Sequence, residues 1–497
     1  MQKEQVSWLQ DAHNQETIDN IMGRLATLLK KHYEQPEAAA CVPPLDQARL
    51  KALFHQEHPP EQGMGFEAAM EHFENDIMAN SIRTWHPLFL NQMFAGASFP
   101  AIVGDLLAGM LNPTLATFEA SPAGTLIERS VATWMAEIIG MKPGSSGIFL
   151  PGGSLSNLMA LTVARDTKLG PDIRQKGVGA QKVGILVSAG CHYSIANAAH
   201  LLGLGTDSVI KVATNDRNEL LIEDFKDKLA MCDREGRRVF AAVATCGITV
   251  TGGFDPLQEM IEVCRDRDIH VHVDAAFGGA MAMTRFGKEL FRGIEQADSV
   301  IWDAHKWLHS PLTCTVLLLP NPSLLKAVFA SNASYLFHNP DHEPDATDDL
   351  GQYTLLCGKR FDALKVWLLF QIYGRNYFAE LAEERWQFSL QIHQWLRNDA
   401  DFEPCYDLRS PVMCFRYAPE ALAGADAAYC DRLHRWCRQK TMERGLALFN
   451  MSKLEGRVVY RAILINPLST QAKMEELFEN LRELGEQFMR ENPVSAG

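Results

Sequence analysis

The sequence predicts an α/β fold in which a mostly parallel sheet, buried on both faces, is preceded by a helical N-terminal segment and followed by a small α+β domain. Three observations carry that prediction. Six apolar runs recur through the middle of the chain, at Gly147 to Leu150, Gly184 to Ser188, Ser208 to Val212, Val239 to Thr245, Ile269 to Val273 and Val300 to Trp302; they are too continuous for strands with one wet face. Helical segments alternate with most of them, as crossover connections require. Two of the runs end at ionisable residues, Asp274 and Lys306, and the crevice beyond the carboxyl ends of such strands is the usual ligand site.

Taken in order, residues 1 to 85 read as amphipathic helix broken around Pro43, Pro44, Pro59 and Pro60. That segment is too thin to own a core and is expected to wrap on the main body or on a second subunit. A large domain is expected over residues 86 to 375. Its first clear helix is capped by Ser121, carries Pro122 in its first turn and ends at Gly140, with Ile127, Val131, Trp134, Met135 and Ile138 on one face. Asp255 before Pro256 reads as the cap of another helix. Residues 331 to 358 are polar and acidic with two prolines, which suits a mobile lid or a disordered surface loop. From 376 to 497, long helices and fewer strands, at Pro411 to Tyr417, Leu446 to Asn450 and Arg457 to Leu464, predict the small domain.

Composition narrows the function classes. A chain of 497 residues with 47% hydrophobic and 22% charged residues can bury a sizeable core. Its formal charge of -14 argues against nucleic acid or an anionic membrane as partner. The start has no apolar signal-peptide core, and the most hydrophobic stretch, Phe99 to Leu111, is too short to span a bilayer. Eleven cysteines are scattered without a C-x-x-C pair, which reads as reduced thiols in a cytoplasmic protein.

The chemistry concentrates at the strand ends. Lys306, in S-V-I-W-D-A-H-K, follows a short buried strand and faces a cleft, where a desolvated amine is a nucleophile toward carbonyl carbon. Asp274, in I-H-V-H-V-D-A-A-F-G-G, ends a strand 32 residues earlier, a spacing that fits neighbouring parallel strands. Pyridoxal phosphate needs this pair: a lysine to hold its aldehyde as a Schiff base, and a carboxylate to keep its pyridine nitrogen protonated. In P-G-G-S-L-S-N, Gly152 and Gly153 allow a tight turn, and Ser154 near a helix start completes an anion site in outline. His192 in C-H-Y-S suits stacking on a flat ring or proton transfer, and a structural role equally. Thr245 and Thr249 can hydrogen-bond a cofactor or close a turn. His270, His272 and Asp274 share one strand face and resemble a metal site, yet the run is otherwise apolar and a metal leaves Lys306 unexplained; no metal is expected.

These motifs, with H-P-L-F-L-N-Q, F-D-P-L and D-A-H-K-W, occur in an order that resembles the group II pyridoxal-phosphate-dependent amino acid decarboxylases, closest to the glutamate and cysteine sulfinate enzymes. S-P-A-G-T-L-I-E and R-F-D-A-L-K-V-W are also similar to 2,4-diaminobutyrate decarboxylases. The resemblance implies the aspartate aminotransferase-like fold (fold type I) and a homodimer with active sites at the interface. It implies that Lys306 binds the cofactor aldehyde, Asp274 pairs with the pyridinium nitrogen, and His192 and Ala276 cover opposite ring faces. Gly153, Ser154 and His305 would hold phosphate, Thr249 would contact the cofactor, Arg461 would grip a substrate carboxylate, and Gln92 would lie near the substrate. Two positions depart from the family pattern. Asp303 stands where many members have Asn, and in place of a lid tyrosine the loop offers His338, His342 and Glu343, with tyrosines only at Tyr335 and Tyr353. The implied activity is α-decarboxylation of a small, acidic L-amino acid; 2,4-diaminobutyrate decarboxylation, transamination on the same fold and a non-enzymatic cofactor scaffold are the alternatives.

Overall fold

The computed structural model describes residues 14–170, 172–331 and 349–493. Twelve strands among them form two sheets. The chain enters through helices Gln15–Glu34, Gln47–Phe54 and Phe66–His72, the last continuing as a π-helical stretch Phe73–Met78. This segment lies on the body: Tyr33 Oη donates to the Ala97 carbonyl at 2.7 Å, and Cys41 and Val42 pack against Phe89 and Leu448. Ile18, Met22, Phe54, Met64, Phe66, Phe73 and Ile77 nonetheless stay exposed.

The larger sheet contains β2 (Ser146–Leu150), β3 (Val183–Ser188), β4 (Val209–Val212), β5 (Arg238–Thr245), β6 (His270–Asp274), β7 (Ser299–Asp303) and β8 (Thr315–Leu319), in spatial order 2-8-7-6-5-3-4. All six apolar runs read from the sequence are strands here. The sequence reading missed the seventh, β8, which runs against both its neighbours β7 and β2 and so leaves the other six pointing one way. Burial on both faces is direct: Ile185, Val187, Ala241 and Val243 enter one core cluster, while Leu186, Ala242 and Ala244 enter another, as the two-residue period of a strand demands. The ends of the central strands are level, with Thr245 beside Asp274 and Asp274 beside Ile301. Side chains that follow them therefore open onto one crevice.

The smaller sheet has order β1-β11-β12-β10-β9, with β1 at Phe89–Leu90, β9 at Phe402–Pro404, β10 at Val412–Tyr417, β11 at Leu448–Leu454 and β12 at Arg457–Ile463. Three of these follow the sequence expectation. β1 does not: its residues fall in the stretch assigned to the large domain, yet they pair in parallel with Leu448 and Phe449 of β11. A long helix, Ala363–Asn398, links the two sheets and breaks at Gly374, whose φ of 75° and ψ of 167° are not helical.

Two local readings need correction. Helix Pro122–Ile139 ends on Gly140 in the left-handed region, as expected, but the Ser121 side chain makes no capping bond. Asp255 does not cap helix Leu257–Arg265. Its carboxylate accepts the backbone N–H groups of Leu220 and Thr245, both at 2.8 Å, tying the end of β5 to the chain that follows β4; burial pushes its pKa up to about 7. Most of the expected lid, with Tyr335, His338, His342 and Glu343, lies outside the described residues. Tyr353 is described: it ends a short helical turn and sits under the Arg129 guanidinium, 5.2 Å from its ring centre.

Candidate active site

A cavity of about 550 Å³ opens at the carboxyl ends of the parallel strands. One wall comes from the large sheet. Gly153 and Ser154 follow β2 at the start of helix Gly153–Leu169, His192 follows β3, Thr245 ends β5 and Thr249 follows it, Asp274 ends β6 and Ala276 follows it, and His305 and Lys306 follow β7. The opposite wall is built by the small sheet: Asn450 of β11, Arg461 of β12 and the Asn91 to Phe94 segment after β1, which includes Gln92. The fold thus brings together all ten candidate site residues. Tyr353 does not line the cavity.

Lys306 lies in the short helix Ala304–Trp307 directly after β7. Its Nζ is 2.9 Å from Asp303 Oδ2, and the same oxygen is 3.5 Å from His305 Nε2. Thr315 Oγ1 donates to the other Asp303 oxygen. The Asp303 carboxylate therefore does not turn away from the site, as repulsion from a phosphate would require; it pairs with the lysine. Burial is the main cause that lowers the pKa values of His305 and His192.

Asp274 is held from two sides. Its Oδ1 accepts the Ala276 N–H at 3.2 Å and its Oδ2 accepts the Asn157 amide at 2.9 Å. Asn157 sits one turn into helix Gly153–Leu169, on the side that faces the sheet, and the sequence reading passed over it although it closes the P-G-G-S-L-S-N motif. Its carbonyl oxygen is 2.8 Å from His272 Nε2, and His272 Nδ1 and His270 Nε2 are each 2.8 Å from Ser299 Oγ. Both ring nitrogens of His272 are thereby engaged. Burial lowers the pKa of His270 to about 3 and of His272 to about 4, so both are neutral. Among the described residues, no group of three His, Cys, Asp or Glu is placed to hold an ion.

The opposite wall differs. Arg461 is only 5% exposed; among the described residues its one hydrogen bond runs from Nη1 to the Asn91 carbonyl at 3.3 Å, and Nε and Nη2 have no partner. The titratable groups that act on it are the Cys414 thiol and Tyr406 phenol, both kept neutral by burial. Asn91 Oδ1 is likewise buried without a partner among the described residues.

The donor set fits pyridoxal phosphate. An amine and a buried carboxylate stand at adjacent strand ends. Gly152, at φ 108°, lets the backbone turn into the helix start that carries Gly153 and Ser154. A Cβ at Gly153 would come within 3.4 Å of Asp303 Oδ1 and narrow that cradle. Thr245 Oγ1, buried in the cavity wall, has no partner within the described chain.

Known proteins agree. A family model described as the pyridoxal-dependent decarboxylase conserved domain matches residues 48–418. The acidic amino acid decarboxylase GADL1 of Bos taurus is 34% identical over 418 residues, which are 82% of this chain and 80% of that protein. The cysteine sulfinic acid decarboxylase of Mus musculus is 33% identical over 433 residues, 86% of this chain and 87% of the relative. The crystal structure of mouse CSAD superposes with a TM-score of 0.88 at 28% identity and covers 95% of this chain and 99% of that one. The fold is thus that of fold type I pyridoxal-phosphate enzymes, and the cofactor is pyridoxal phosphate. No described helix is long and apolar enough to cross a membrane. The chain belongs to the pyridoxal-dependent decarboxylase family and is a pyridoxal-phosphate-dependent amino acid decarboxylase.

Proposed function

We propose that this decarboxylase removes the α-carboxylate of a small L-amino acid with an acidic side chain, such as aspartate, glutamate or cysteine sulfinate. The reading rests on the unpaired, buried guanidinium of Arg461 in the cavity that also holds Lys306 and Asp274. A buried cation without a partner is costly, and an anionic substrate group relieves that cost. The reaction decides which anion. Pairing Arg461 with the departing α-carboxylate would stabilise the ground state as much as anything later. A retained side-chain carboxylate or sulfinate gains the pair without opposing bond cleavage. A 2,4-diaminobutyrate side chain, by contrast, would bring a second cation toward Arg461. The names of GADL1 and the cysteine sulfinic acid decarboxylase point the same way.

When bound, pyridoxal phosphate supplies the ring that accepts the electron pair left on Cα as carbon dioxide departs. In this reading Lys306 would hold the cofactor aldehyde, and Asp274 would keep the proton on the ring nitrogen. Gly153, Ser154 and His305 would hold the phosphate, His192 and Ala276 would flank the ring, and Thr249 would add a polar contact. Gln92 borders the substrate. The Lys306 ammonium, or a donor from the loop after residue 331, returns a proton to Cα.

Carbon dioxide release from aspartate, glutamate, cysteine sulfinate and 2,4-diaminobutyrate tests the substrate class. An acidic substrate should lead, and Arg461→Met should raise its KM by about 100-fold. Faster turnover of 2,4-diaminobutyrate, or an unchanged KM in Arg461→Met, would refute the reading.

The same reading includes a cytoplasmic homodimer with sites at the interface. Phe99, Leu106, Met110 and Leu111 are exposed along one helix, Tyr193 at the cavity is 68% exposed, and the N-terminal helices add their own uncovered apolar residues. Apolar surface of this extent favours a partner. All eleven cysteines are free thiols, which suits a reducing compartment.

A further inference from the structure

We infer that Asn157 and Ser194 are positioning residues that fix where protons sit on both sides of the cofactor site, orienting the Asp274 carboxylate and confining the His192 proton to Nε2. The inference rests on the cofactor assignment and not on the identity of the substrate.

The direction of each hydrogen bond follows from one fixed point. A carboxylate oxygen only accepts, so the group 2.9 Å from Asp274 Oδ2 is the Asn157 NH2 and not its oxygen. That choice settles the amide: Oδ1 faces His272, and Nδ2 donates its second hydrogen to Ser194 Oγ at 2.9 Å. On one branch, an accepting Oδ1 requires the proton of neutral His272 to be on Nε2. His272 Nδ1 is then bare and accepts the Ser299 hydroxyl, whose oxygen accepts Nε2–H of His270. Every donor along His270, Ser299, His272 and Asn157 therefore points toward Asp274. The two histidines that imitate a metal site are the far end of this chain.

On the other branch, Ser194 Oγ has accepted from Asn157 and turns its own hydrogen to His192 Nδ1, 2.8 Å away. The Ser194 backbone N–H reaches the same nitrogen at 3.3 Å. Two donors converge on Nδ1, which leaves the single proton of neutral His192 on Nε2, the nitrogen turned away from Ser194. Asn157, Ser194 and His272 are at most 2% exposed, so water does not compete for these bonds. The arrangement makes His192 a donor, never an acceptor, toward whatever meets its Nε2.

Two measurements test this. In apoenzyme labelled with 15N-histidine, the wild type and Ser194→Thr should show His192 with an unprotonated Nδ1 and a protonated Nε2, whereas Ser194→Ala should show a mixture of tautomers. In fluorescence titrations, Asn157→Leu, checked for folding by its melting curve, should bind pyridoxal phosphate about tenfold more weakly than wild type. A His192 proton that stays wholly on Nε2 in Ser194→Ala overturns the inference, as does cofactor affinity within twofold of wild type in a folded Asn157→Leu. The tautomer measurement needs neither cofactor nor substrate, so its outcome is separate from the proposed substrate class.

Discussion

On the large-sheet wall of the cavity the Asn157 amide has both hydrogens and its oxygen engaged, whereas on the small-sheet wall the Arg461 guanidinium has two nitrogens with no partner among the described residues. Both groups are buried and both face the same space. On the proposed reading, the difference matches the residence time of what each wall meets. A cofactor that stays through every turnover is served by a wall whose Asn157 amide and Asp274 carboxylate are locked before it arrives, because preorganised dipoles need no rearrangement during the reaction. A substrate that comes and goes is drawn by a wall left unsatisfied, where its arrival relieves a desolvation cost already present.

Three substitutions break or sharpen that contrast. The largest effect is expected at Lys306, the one group that must serve both walls: Lys306→Ala should lower turnover on the order of 10⁴-fold or more, measured by carbon dioxide release. A variant that keeps wild-type turnover would remove the lysine from the chemistry. Next comes Asp303, the discordant member of the cofactor wall, whose carboxylate occupies Lys306 and lies beside the Gly153 cradle. Asp303→Asn should tighten pyridoxal phosphate binding by about tenfold in equilibrium titration, since a negative charge near the phosphate is removed; weaker binding would mean that the carboxylate orients His305 instead. The smallest effect is the most diagnostic. Arg461→Met should raise the melting temperature of the ligand-free protein by about 2 °C, since a buried unpaired charge is replaced by a side chain that packs. A lowered melting temperature would show that Arg461 serves the fold.

Much of the large-sheet wall was legible in the sequence because strand ends announce themselves. An apolar run that stops at Asp274, or at Lys306 four residues after Trp302, marks both the strand and the place where its successor meets the crevice. The rest was hidden for identifiable reasons. Thr315–Leu319 is as apolar as the six runs that were read, and nothing within it encodes its reversed direction, which depends on the connection before it. Asp255 before Pro256 has the sequence of a helix cap, yet two backbone N–H groups from elsewhere in the chain claim its carboxylate first. Asn157 looked like one more polar residue at a helix start; its importance lies in partners 37, 115 and 117 residues away. By residue type alone Arg461 is an ordinary strand arginine, singled out only by the family resemblance, because an absent partner leaves no mark in a sequence.

The pairing of Phe89 and Leu90 with Leu448 and Phe449 has a consequence for biosynthesis. The ribosome releases the first pair long before the second exists, so the edge of the small sheet stays open while most of the polypeptide is made. The Asn91 to Phe94 segment, which follows directly and lines the cavity, lacks its β11 neighbour until that strand emerges. A nascent enzyme can therefore assemble its cofactor wall early but has no complete pocket until β11 and β12 have emerged. Fragments that end before β11 carry an orphaned strand, a natural handle for chaperones and a ready cause of aggregation.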